Sequence, residues 1–123
     1  MRQSGNALIL ALGFLAVGFA AALAQTPAQT VTPADAKAHV GQTVTVEGIV
    51  GDVHTVGTGV TFIDMGGSYP NNAFTAVIFA ADAAKFPNVS ALNGKTVAIT
   101  GPVQLYKGTP EILLNDAAQL KAK

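Results

Sequence analysis

No cysteine occurs in the 123-residue chain, which excludes a disulfide framework, a thiolate metal site, a cysteine nucleophile and lipid attachment through a thiol. Tryptophan is also missing, and Arg2 is the only arginine. Proteins that grip nucleic acid through its phosphates carry a basic stripe. Here lysine and arginine together number seven against seven acids, and no stripe forms. Phosphodiester cleavage needs cationic stabilisation of its transition state and carboxylates that hold a metal; Glu47 and Asp64 alone do not meet that need. No serine lies in a nucleophile-elbow pattern. His39 and His54 are scattered, and Asp52 beside His54 offers at most a two-ligand patch. The expectation is a protein that is not an enzyme, with no cofactor and no metal site.

The one long apolar run lies at the start. Met1 and Arg2 precede an almost unbroken apolar stretch from Ala7 to Leu23, closing on Ala22-Leu23-Ala24. A positive start, a short apolar centre and small residues two apart are the features of a secretory signal peptide over residues 1–24. The stretch approaches the length of a membrane span, roughly 17 to 20 residues, but the A-x-A pattern favours cleavage. The expected product is periplasmic or secreted, has no membrane anchor, and must fold by packing alone. Its six lysines face seven acids.

Residues 25–32 (QTPAQTVT) have no periodicity and read as a flexible tether before a domain over 33–123. Thr32-Pro33-Ala34-Asp35 is a helix start, with a hydroxyl cap, proline at the first position and an acid in the first turn. From Gln42 the period becomes two: Val44, Val46, Gly48 and Val50 share a face, then Ile49 and Val53 shift the parity, which predicts a bulge or bend. Val60–Met65 and Phe74–Phe79 are the next strands, joined by the turn-forming run Gly66 to Asn72. Ala80–Phe86 is a short helix ending at Pro87, and Asn88–Asn93 a loop. Val97, Ile99, Val103 and Leu105 form the buried parity of a fourth strand that bends at Gly101-Pro102. Glu111–Leu114 is the fifth, and Asp116–Leu120 closes the chain. Five strands, two of them bent, with a helix between the third and fourth, predict an all-β fold with small helices: the five-stranded Greek-key barrel called the OB-fold. An SH3-like barrel fits less well because of the 80–93 insertion.

The stretches Gly41-Gln42-Thr43-Val44-Thr45-Val46-Glu47-Gly48 and Phe62 to Phe79, with Gly94-Lys95-Thr96-Val97 and Tyr106 to Ile112, resemble exported bacterial OB-fold domains classed with nucleic-acid-binding OB proteins. The resemblance implies a binding module for nucleic acid or another extended ligand, with single-stranded nucleic acid among the expected partners against an unfavourable charge. OB domains present the face of strands two and three; there and at the far turn the chain offers Phe62, Tyr69, Asn71, Phe74, Tyr106 and Lys107 as candidate ligand-binding residues. Aromatic rings on such a face stack bases, although Phe62 and Phe74 suit the core better, since a barrel of this size needs several large apolar side chains inside. The near-neutral charge supports an alternative, an envelope protein-interaction or small-ligand module linked to stress.

Overall fold

The computed structural model describes residues 27–123, so the expected leader over residues 1–24 lies outside the described residues. The described chain is all-β with short 3-10 helices. Its strands are β1 (Gln29–Val31), β2 (Thr43–Thr55), β3 (Thr61–Met65), β4 (Phe74–Ile78), β5 (Thr96–Pro102), β6 (Gln104–Tyr106), β7 (Thr109–Leu113) and β8 (Leu120–Ala122). The hydrogen-bonded path runs β6-β7-β4-β3-β2-β5-β8, with β1 against β2. Among the described residues no helix is long and apolar enough to cross a membrane.

Strand β2 organises the rest. Its first half, Thr43 to Ile49, pairs with β5, and its second half, Val50 to Thr55, pairs with β3. The register shifts between Val50 and Asp52, a bulge where the apolar parity changes. Before it Val44, Val46 and Val50 are buried; after it Val53 packs on the core. Asp52 and His54 therefore turn to the opposite face, because side chains alternate along a strand.

The core is filled by Val44, Val46, Ile63, Met65, Phe74, Ile78, Val97, Ile99, Ile112 and Leu114. Each such burial contributes about 1.5 to 3 kcal/mol relative to exposure, which replaces covalent staples. Gly101 allows the close approach of β5 to β7, since a Cβ there would lie 2.6 Å from Ile112 Cγ2.

The expected fourth strand is divided. Val103, the single residue between β5 and β6, donates its N–H to the Gln42 carbonyl and accepts from Gly41 N–H; beyond it the chain leaves β2 and pairs with β7. Leu105, expected inside with Val103, is exposed, because β6 ends the sheet path and all three of its residues face solvent. Two further short strands were not expected. In β1, residues 29–31 pair in parallel with Val44 to Val46 and bury Val31, which corrects the flexible tether over 25–32 for its second half. In β8, Leu120–Ala122 pairs with β5.

The helices are short 3-10 segments of three to seven residues. Thr32 caps Pro33–His39 through its hydroxyl, which accepts from Asp35 N–H. Ala80–Lys85 matches the expected helix, and Val89–Leu92 adds a turn within the expected loop.

Candidate functional site

The outward face of β3 and β4 floors a groove of about 560 Å³. His54 and Val56 enter it from β2 and the turn beyond, Phe62 and Asp64 from β3, and Thr75 from β4. Tyr69, Pro70 and Asn72 form one rim; Tyr106, Lys107, Thr109 and Glu111 form the other. A separate hollow of about 530 Å³ lies between β1 and the Pro33–His39 helix, and none of the predicted binding residues lines it.

Local conformation sets both rims. Gly66 and Gly67 have φ of +71° and +114°, a region open to glycine at little cost. They turn the chain back so that Ser68 Oγ donates to the Gly51 carbonyl at 3.2 Å, and Tyr69 stands 74% exposed over the groove. At the other rim, Lys107 and Gly108 have φ of 51° and 84° between the paired Tyr106 and Thr109, as a two-residue hairpin of the mirror-image type requires. A lysine is unusual at the first of these positions, where asparagine or glycine is at ease. Its ammonium lies 5.3 Å from the centre of the Tyr106 ring.

Four of the six predicted residues, Phe62, Tyr69, Tyr106 and Lys107, meet around this groove. Phe74 does not: it alternates inward with Ala76 and Ile78, is 0% exposed and belongs to the core. Asn71 is exposed but outside the lining, and Asn72 takes the inner position. Its amide donates to Thr75 Oγ1 at 2.6 Å and to the Phe74 carbonyl at 3.2 Å.

The floor is acidic. Asp64 is only 2% exposed; burial pushes its carboxyl above the ordinary range, and the charge of His54 and the Thr75 hydroxyl counter this without reversing it. Thr75 Oγ1 and Asn72 Nδ2 approach its Oδ1 at 3.3 and 3.4 Å, while Oδ2 has no hydrogen-bond partner among the described residues. His54 Nδ1 sits 3.0 Å from Asp52 Oδ2 and 3.6 Å from Asp64 Oδ2, its ring stacked on Phe62 with centroids 5.3 Å apart. Asp52, His54 and Asp64 thus form a three-group cluster. Asp52 and His54 stood out in the sequence as a two-ligand patch; the third member arrives through pairing across strands. Glu111 on the opposite rim is also buried, which raises its carboxyl, and the Gln104 side chain partly offsets this.

No protein-family model matches the chain, and no curated protein matches it in sequence. Solved structures do share its fold. An OBody, AM1L10, solved bound to hen egg-white lysozyme, superposes with a TM-score of 0.59 at 20% identity, over 80% of this chain and 96% of the OBody. The aspartyl tRNA synthetase from Entamoeba histolytica matches with a TM-score of 0.54 at 16% identity over 81% of this chain, and the asparaginyl-tRNA synthetase from Pyrococcus horikoshii with 0.51 at 19% over 69%. The chain spans about a fifth of each synthetase's length, 22% and 20%. At these identities the likeness is one of fold.

Proposed function

We propose that the chain is an exported, non-catalytic OB-fold binding module that takes an extended ligand, single-stranded nucleic acid foremost, across β3 and β4. The five-stranded Greek-key reading counts β5 and β6 as one bent strand and treats β1 and β8 as additions. The observation that carries the function is the groove itself, whose lining brings together Phe62, Tyr69 and Tyr106. Stacked bases contribute about 1 to 3 kcal/mol each. Two of the proteins with this fold are tRNA synthetases, which favours the nucleic-acid reading over other extended ligands. Lys107 is the only lysine of the lining, against Asp64 and Glu111, so bases would face inward and phosphates outward.

The test is a titration of the purified protein with fluorescent single-stranded DNA and RNA at low and physiological salt. Saturable binding that weakens with salt, and that falls about tenfold or more in Tyr69→Ala with Tyr106→Ala, supports the reading; no binding at low salt rejects it. A second reading, a periplasmic module for an envelope protein or small ligand, is favoured by the acidic lining and by the OBody's lysozyme complex. A salt-insensitive affinity for such a partner would select it.

A further inference from the structure

Asp52 and His54 are two apart on β2, so they share a face, and Asp52 is directly opposite Asp64 on β3. Like charges opposite one another on antiparallel strands repel, yet here they are held together with an imidazole between them. One ligand atom from each of the three lies within 4.8 Å of the others. We propose that Asp52, His54 and Asp64 form a binding site for a divalent first-row cation, Zn2+ in the first place, at the floor of the groove. The inference rests on these three side chains and not on the ligand reading above.

The decisive atom is Asp64 Oδ2. It is buried and has no hydrogen-bond partner among the described residues, a costly state for a carboxylate oxygen. One N–H on His54 Nδ1 satisfies Asp52 at 3.0 Å and leaves Asp64 at 3.6 Å, beyond a hydrogen bond. A cation between the three serves all of them. Metal–ligand bonds of about 2.0 to 2.2 Å place neighbouring ligand atoms about 3 to 3.5 Å apart, close to both distances from Nδ1. The surroundings orient the ligands as supporting groups do at metal sites: Thr75 and Asn72 hold Asp64 Oδ1, and Phe62 stacks on the His54 ring. One imidazole nitrogen with two carboxylates suits Zn2+ and Mn2+ better than Ca2+ or Mg2+, which favour oxygen alone. Three protein ligands leave a fourth position open, beside a groove that His54 and Asp64 line.

Calorimetric titration of the purified protein, free of any histidine tag, with Zn2+ and separately with Mg2+ tests this. The expected result is one Zn2+ per chain, a raised unfolding temperature at saturation, and binding weakened at least about tenfold in His54→Ala and in Asp52→Asn. Those two side chains are 38% and 41% exposed, so the variants keep the fold, which circular dichroism verifies; Asp64→Asn repeats the loss from the buried side. His39→Ala, whose imidazole bonds Gln42, leaves binding unchanged. Absence of saturable Zn2+ binding, native affinity in both His54→Ala and Asp52→Asn, loss of binding in His39→Ala, or Mg2+ binding as tight as Zn2+ overturns the site.

Discussion

Gly51 touches Gly67: a Cβ built on Gly51 would lie 2.5 Å from the Gly67 carbonyl oxygen. This is the point where the β2 bulge accepts the loop that carries Tyr69, and Ser68 Oγ fastens it by donating to the Gly51 carbonyl.

Gly51→Ala therefore lifts the loop or bends the bulge. Forcing a methyl into such a contact costs about 1 to 3 kcal/mol. The expected outcome is a lower urea midpoint together with weaker ligand binding, because the rim bearing Tyr69 moves. Unchanged stability would mean that the loop is free to give way, and that the Gly51 contact does not position Tyr69.

Lys107 offers a prediction whose two readouts move in opposite directions. Its φ of 51° is strained for a lysine and easy for asparagine. Lys107→Asn is expected to raise stability by up to about 1 kcal/mol, since the left-handed conformation costs an L-residue roughly 1 to 2 kcal/mol and asparagine adopts it more readily, while weakening binding of the proposed ligand, since it removes the groove's only lysine. Stabilisation with full affinity would show that the ammonium takes no part.

Gln119 uses its whole amide. Oε1 accepts from the N–H groups of Asn115 and Asp116 at 2.9 and 3.0 Å, and Nε2 donates to the carbonyls of Thr100 and Leu113 at 3.0 and 3.1 Å. Gln119→Glu keeps the shape but sets a carboxylate oxygen against two carbonyl oxygens. A loss of about 1 to 3 kcal/mol is expected, read from the urea midpoint, with Gln119→Ala also destabilised. A neutral Glu variant would mean that water takes over both carbonyls.

Much of this architecture could be read from residue order because it depends on local alternation. The parity change between Val50 and Val53 announced the bulge, and Thr32-Pro33-Ala34-Asp35 announced the capped turn. Pairing across the sheet was less legible. Gln29–Val31 is too short and polar to look like a strand until β2 is beside it, and Leu105 is apolar although the core ends before it. The site divides in the same way. Tyr69, Tyr106 and Lys107 were visible because turns expose their tips. Phe74 suits the core or the face by residue type, and only the register of β4 settles it inside; Asn72 rather than Asn71 lines the groove by one step of the loop. Asp64 could not be joined to Asp52 and His54 without the register, which the bulge shifts by one residue.

Glu111 gives the domain an acid-side signature. Burial raises its carboxyl above the ordinary 4.5, and the Gln104 side chain only partly offsets this. The folded state thus binds the proton more tightly than the unfolded chain does. Stability follows the difference in bound protons: where the folded state holds more, it falls as pH rises. The favourable contribution of protonated Glu111 is complete below 4.5 and is lost as pH climbs through the raised folded value; at neutral pH its ionised form is a standing cost. Glu111→Gln keeps an acceptor, adds a donor and removes the charge. In the metal-free, ligand-free protein it is expected to raise stability at pH 7 and to change it little at pH 4, so the two stability profiles converge towards acid. Denaturant midpoints of both proteins between pH 4 and 8 check this. A gap that is constant with pH would assign the effect to packing or hydrogen bonding, and a gap that widens towards acid would reverse the sign argued from burial.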